Sequence, residues 1–306
     1  MVGSMSDTAA ATSLAVIGAG GIGGFTAAFA QLAGHDVTLC VRTPIGKLAV
    51  ETGGEVLHSP VRIATRPERE SPADWVLITT KAQDTASTAG WLRRLVGPGT
   101  RVAVLQNGVG HAERVATLIP AGTEVLPVLV YVSAERTAPG RITHHVGNTL
   151  LVPEGELADR FAELFKGSGI EVRTTGDFAT AAWRKLFSNL AANPLTALTE
   201  RRVGVFTEPG MARLASDVLT EAVAVGRAEG AAITEQDVRD TLELYAANPP
   251  DGGTSMLYDR LAGRPLEHEH ITGVVVRAGE RHRIPTPLNT ALLTLLRALD
   301  CSRPPS

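Results

Sequence analysis

The feature that most constrains this chain is a cluster of five glycines in seven residues, Gly18, Gly20, Gly21, Gly23 and Gly24. It lies between two apolar stretches of different texture. Leu14-Ala15-Val16-Ile17 is short and β-branched and stops at Gly18, whereas Ile22 to Ala33 is small, apolar and helix-compatible. The order is strand, turn, helix. Across the join runs Gly18-Ala19-Gly20-Gly21-Ile22-Gly23, a G-x-G-x-x-G: the first glycine allows the turn, the second lets a pyrophosphate approach the backbone, and the third permits close helix packing. The helix start offers free N–H groups and the positive end of a dipole. A plain glycine-rich turn is the competing reading. The flanking strand and helix favour dinucleotide binding, with Gly18, Gly20, Gly21, Ile22 and Gly23 around the phosphates.

The next apolar run, Val37 to Val41, reads as a second strand, and Arg42 follows it. A carboxylate there would accept bonds from the ribose 2′-OH of NAD, whereas a guanidinium grips a 2′-phosphate with charge-assisted bonds. The expected cofactor is therefore NADPH, a solvated strand-end charge being the bland alternative for Arg42. Trp75 to Thr79 leads to Thr80-Lys81-Ala82, and Val102 to Leu105 leads to Gln106-Asn107-Gly108. Both junctions are carboxyl ends of strands, which in an open parallel sheet border the ligand crevice. Asn107-Gly108 equally fits an ordinary turn. Only four of the 29 basic residues are lysines, Lys47, Lys81, Lys166 and Lys185. Where arginine is the default cation, a retained lysine suggests a compact charge whose pKa can fall enough to move a proton.

Composition removes several classes of function. The 29 basic residues nearly balance 32 acidic ones, giving a formal net charge of -3, so no nucleic-acid or membrane partner is expected. Two cysteines, Cys40 and Cys301, far apart and without a CxxC, argue against a disulfide framework or zinc site and fit the cytoplasm. The uncharged stretch from Thr8 to Gly34 lacks the basic start of a signal peptide, and its glycines make a poor membrane helix. The length of 306 residues suits two domains. Strand-like runs at Leu126–Val132, Arg141–His145, Thr149–Val152 and Ile170–Arg173 are expected to complete the sheet, and from Phe178 the pattern turns to amphipathic helices. The expectation is a disordered N-terminus over 1–13, an α/β dinucleotide-binding domain over 14–177, an all-α domain over 178–302, and a frayed tail.

Within the helical half, Lys185, Asn189 and Asn193 recur every four residues, which on one helix makes a single stripe beside Leu186 and Leu190. An ammonium and two amides beside apolar neighbours point to a lined cleft. Pro194 cannot donate to the Leu190 carbonyl, so a kink or helix end is expected there. Asn248 to Thr254 reads as either a mobile lid or a loop.

These residues together resemble the ketopantoate (2-dehydropantoate) reductases. The likeness rests on the glycine motif, Thr80-Lys81-Ala82, Gln106-Asn107-Gly108, the block Trp183 to Thr196, and Ser255 to Asp259 with Arg264-Pro265-Leu266-Glu267 beyond it. It implies a Rossmann-type doubly wound parallel sheet followed by an all-α domain like that of 6-phosphogluconate dehydrogenase. It also implies NADPH-dependent reduction of a small 2-oxo acid, in pantothenate synthesis for the name-giving members, and a possible homodimer. By resemblance Lys185 is the general acid, and Glu267 orients it and binds a substrate hydroxyl. Asn107, Asn189, Asn193 and Ser255 hold substrate or nicotinamide, and Lys81 and Arg42 face the 2′-phosphate. Without the resemblance Glu267 reads as a surface acid. His268 and His270, at i and i+2, point to opposite helix faces, so no metal is expected. Val203 and Gly252 stand where the family carries Asn, which leaves open a reductase of the same fold acting on a different oxo acid or ketone. A cofactor-sensing module without chemistry is the further alternative, and the presence of both Lys185 and Glu267 disfavours it.

Overall fold

The computed structural model describes residues 11–301. Two compact units divide them. The first takes residues up to Thr80, Asp84–Gln106 and His111–Gly176, and the second takes Lys81–Gln83, Asn107–Gly110 and the chain from Asp177 onward. The expected disorder over 1–13 falls mostly outside the described residues. Ser13, however, already pairs with Asp36 in the first strand.

The first unit opens with β1 (Ser13–Ile17), α1 (Gly21–Leu32) and β2 (Asp36–Cys40), followed by β3 (Leu48–Thr52), β4 (Glu55–Ser59) and β5 (Arg62–Ala64). Then come β6 (Trp75–Ile78), α2 (Ala89–Leu95), β7 (Arg101–Val104), α3 (His111–Val115) and β8 (Glu124–Pro127). The unit closes with β9 (Leu129–Ala138), β10 (Arg141–Pro153), α4 (Glu156–Glu163) and β11 (Glu171–Thr175). Six strands form a parallel sheet in the order β5-β2-β1-β6-β7-β8. Counted along the chain within that sheet, the order is 3-2-1-4-5-6, the doubly wound Rossmann arrangement.

The near-continuous apolar runs follow from burial on both faces. Successive side chains alternate sides, so Leu14, Val16, Leu77 and Ala103 enter one core, while Ala15, Ile17, Val76, Ile78, Val102 and Val104 enter another with Trp91, Leu92 and Leu95. Each large aliphatic side chain so buried contributes about 1.5–3 kcal/mol.

The expectation that later strands complete this sheet needs correction, because only β8 joins it. A second sheet runs β11-β10-β3-β4, with β9 antiparallel to β10. Helix α1 is packed between the two sheets, and its glycines are the contact points. A Cβ on Gly23 would lie 1.9 Å from the Gly18 carbonyl oxygen on one side, and one on Gly21 would lie 1.9 Å from the Ala134 oxygen of β9 on the other. The Arg141–His145 and Thr149–Val152 runs are one strand, β10, with register shifts between His144 and Thr149.

The second unit is built on α5 (Phe178–Leu190), α6 (Ala192–Thr199), α7 (Pro209–Ala228), α8 (Glu235–Ala247), α9 (Ser255–Leu261), α10 (Thr272–His282) and α11 (Pro287–Cys301). Trp183, Phe187, Leu190, Val218, Leu219, Ile233 and Leu296 belong to its core. Val109, from the short segment after β7, packs against it.

Candidate functional site

In the first unit the chemistry gathers at the carboxyl edge of the six-stranded sheet. Strand order reverses between β1 and β6, so a crevice opens beside Gly18 and Thr79. Gly18 holds φ +111°, a left-handed conformation that side chains resist, and its oxygen accepts the Thr79 hydroxyl at 3.0 Å. Gly20 precedes α1 and differs from its neighbours: a Cβ there would meet nothing within 4 Å. Open space at a helix start whose first turn carries no acidic residue suits a phosphate. Exposed Arg42 lies just beyond Cys40, the last residue of β2. These residues fit the pyrophosphate and 2′-phosphate of NADPH: glycine backbone for the first, a guanidinium for the second.

The second unit contains a polar cluster that sequence reasoning only partly anticipated. Glu267, read from sequence alone as a surface acid, is 3% exposed. Its Oε2 accepts from Lys81 Nζ at 3.0 Å and from Asn107 Nδ2 at 3.3 Å, and its Oε1 accepts the Ala82 N–H at 3.3 Å. Lys81 Nζ also donates to Asp259 Oδ2 at 2.9 Å, and Arg264 Nε donates to Asp259 Oδ1 at 2.8 Å. Two cations thus neutralise two buried carboxylates. Burial works against the Lys81 charge, but Glu267 and Asp259 more than offset it and raise its pKa. Lys81, expected to face the 2′-phosphate, has its ammonium engaged by two carboxylates. Asp259 was missed as a site residue because a lone acid inside Ser255–Leu261 looks like solvent-facing helix.

The second lysine has the opposite environment. Lys185 lies on α5, where burial lowers its pKa from the ordinary 10.5. Asn189 follows on the same helix. The stripe does not continue unbroken, however, because α5 ends at Leu190 and Asn193 belongs to α6. Pro194 is the physical reason: it has no N–H for the Leu190 carbonyl. Tyr245 bridges the break, its hydroxyl donating to the Phe187 oxygen at 3.0 Å and accepting from the Ala192 N–H at 3.2 Å. Helix α6 then carries Asn193 to Ser255, with Nδ2 to Oγ at 3.5 Å, while Thr196 and Thr254 hydroxyls lie 2.7 Å apart.

The segment read as lid or loop is tied down. Val203 N–H bonds the Gly252 carbonyl at 2.9 Å, Gly204 N–H bonds that of Pro250 at 2.9 Å, and Arg202 Nη1 bonds that of Asp251 at 3.0 Å. Val203 packs its apolar side chain in the helical core and Gly252 has no side chain, so neither supplies an amide. Among the described residues no group of three or more His, Cys, Asp or Glu could hold a metal, and no helix is long and apolar enough to cross a membrane.

A doubly wound sheet with a glycine-rich turn at its switch point, joined to a helical unit holding a lysine of lowered pKa, defines a nicotinamide-dependent oxidoreductase. Comparison with known families narrows the class. Residues 14–156 match the family described as "Ketopantoate reductase PanE/ApbA" and residues 177–300 match its C-terminal counterpart, so the chain belongs to the ketopantoate reductase family. It is 43% identical over 288 residues to a 2-dehydropantoate 2-reductase of Caulobacter vibrioides, covering 94% of this chain and 99% of the relative. Among solved structures, the 2-dehydropantoate 2-reductase of Geobacter metallireducens superposes with a TM-score of 0.87 at 30% identity, over 94% of this chain and 99% of that one. A dimeric ketopantoate reductase from Staphylococcus aureus gives 0.85 at 26% identity, over 94% and 99%. Family membership makes the chain an NADP-dependent oxidoreductase.

Proposed function

We propose that this protein reduces 2-dehydropantoate to the corresponding 2-hydroxy acid, with Lys185 as general acid. The observation that carries the assignment is the contrast between its two site lysines. Lys81 is locked to Asp259 and Glu267 with its pKa raised, a poor proton donor; Lys185 has its pKa lowered by burial. An acid works best when its pKa lies near the working pH, which selects Lys185.

NADPH, when bound, supplies the hydride. Gly18, Gly20, Gly21, Ile22 and Gly23 cradle its phosphates, and Arg42 grips the 2′-phosphate. The Lys185 ammonium donates a hydrogen bond to the ketone oxygen, stabilises negative charge as it develops, and passes its proton to that oxygen. Asn189, Asn193 and Ser255 orient the oxo acid, and Asn107 orients the substrate or the nicotinamide. Glu267, fixed by Lys81 and Asn107, has acceptor capacity left on Oε1 for a substrate hydroxyl. Lys81 thus acts on Glu267, which leaves Arg42 as the 2′-phosphate ligand.

A related oxo acid is the second reading, because the side chain at Val203 is apolar and in the core and Gly252 has none. A site that hydrogen-bonds a hydroxyl discriminates through that bond, so its loss widens or shifts specificity. The test follows NADPH absorbance with 2-dehydropantoate beside a panel of 2-oxo acids. Turnover of 2-dehydropantoate above the panel is expected; preference for another acid replaces the substrate and keeps the chemistry. Lys185→Ala should lose about 10²- to 10⁴-fold in kcat while still binding NADPH, and a native rate would remove the proton-donor role. The S. aureus relative's dimeric state supports a homodimer here, to be read by light scattering. The buried free thiol of Cys40 supports a cytoplasmic setting.

A further inference from the structure

We infer that Gln106 is a positioning residue for the proposed reaction, its side-chain amide tying the strand end that delivers Lys81 to the strand end that delivers Asn107. The inference rests on the reading that Lys81 and Asn107 hold Glu267 for catalysis. Those two donors reach one oxygen, Glu267 Oε2, from two different strands, at 3.0 and 3.3 Å. Their convergence requires the ends of β6 and β7 to keep a fixed register. The ladder between these strands runs to the Leu105 N–H on the Ile78 carbonyl at 2.9 Å. One residue further along, the Gln106 side chain continues the tie. Its Nε2 donates to the Thr80 carbonyl at 3.0 Å and to the Thr80 hydroxyl at 3.1 Å. That carbonyl belongs to the Thr80–Lys81 peptide.

The amide cannot be turned round. Arg114 Nη1 donates to Gln106 Oε1 at 2.9 Å, and a guanidinium has no acceptor to offer an NH₂ group. The Thr85 hydroxyl braces the same amide, 3.2 Å from Oε1 and 3.0 Å from Nε2. The Gln106 main chain is held as well: its carbonyl, in the peptide leading to Asn107, accepts from His111 Nε2 at 2.8 Å. A carbonyl only accepts, so the proton of His111 sits on Nε2. Burial and the Arg114 charge push that imidazole down to about 4, which keeps the ring neutral and the bond unchanged across the working range. Both peptides that launch the Glu267 donors are thus fixed through one buried residue.

Two substitutions test this. Gln106→Glu keeps the size and the Arg114 partner but faces the Thr80 carbonyl with an acceptor; Gln106→Met keeps the shape and deletes every side-chain bond. Each should lower kcat about 10- to 100-fold, the scale expected when reacting groups are misplaced by about 1 Å. The decisive readout is the same substitution in a Lys81→Met, Asn107→Ala background. If Gln106 acts through those donors, its effect there shrinks below about 3-fold; a generally structural residue would keep its full factor. Circular dichroism establishes that each variant is folded, and Gln106→Met stands in if the glutamate variant is not. A full factor in both backgrounds, or Gln106 variants as fast as wild type while Lys81→Met and Asn107→Ala are slow, overturns the inference. If Lys81→Met and Asn107→Ala are themselves as fast as wild type, the role given to Glu267 and its donors fails first, and the inference with it.

Discussion

Lys185 and Lys81 show how one residue type acquires two chemistries from its surroundings. The folded-state pKa of Lys185 is depressed by burial, so the donor form is lost at a pH below the ordinary 10.5. Reduction should therefore fall as pH rises through that lowered value, and the limb should vanish in Lys185→Ala. A kcat profile flat to pH 10.5 would take the proton from another source. Lys81 has the opposite sign. Its folded pKa is raised, so its stabilising contribution is present below the ordinary 10.5 and is lost only as pH climbs through the folded value. Lys81→Met would leave Asp259 and Glu267 as neighbouring buried acids with Arg264 as the remaining cation. We expect a loss of about 1–3 kcal/mol at pH 8, discounted because Lys81 is half-exposed. Urea unfolding of the two proteins at pH 8 measures this, and equal stabilities would show that the Lys81 ion pairs add nothing to the fold.

At the scale of elements, α1 and the turn before it separate packing from ligand contact within one motif. Gly23→Ala places a methyl 1.9 Å from the Gly18 oxygen and should cost about 1–3 kcal/mol or more through overpacking. Gly20→Ala meets nothing within 4 Å and should stay within about 1 kcal/mol of wild type while weakening NADPH binding. Denaturation midpoints and cofactor titration separate the two, and a Gly20→Ala protein that binds normally would move the phosphates elsewhere. This motif was readable in the sequence because each glycine answers a local demand. Arg42, Lys81 and Asn107 were readable as strand ends for the same reason. The second sheet was not: β9 and β10 mix charged and small residues over ten and thirteen positions, with bulges that blur the two-residue period. Nor was Asp259, since its Lys81 partner lies 178 positions away and no local pattern reports so distant a pair. The interrupted stripe shows the middle case, in which Pro194 announced a break but periodicity alone placed Asn193 on the wrong helix.

For the whole molecule, binding and stability are linked. A ligand that binds only the folded chain stabilises it by about 2.7 kcal/mol at a hundredfold excess over its Kd, so NADPH should raise the unfolding temperature by several degrees. The size of that rise reports recognition without requiring turnover. Lys185→Ala should keep it, because the ammonium is assigned to the ketone and not to the cofactor. Arg42→Glu should behave differently with the two nicotinamide cofactors. A carboxylate at that strand end repels the 2′-phosphate of NADPH yet accepts the 2′-OH of NADH. The NADPH-induced rise should therefore fall sharply, while that with NADH is kept or grows. Loss of both rises would make Arg42 a structural residue, and retention of the full NADPH rise would place the 2′-phosphate away from the end of β2.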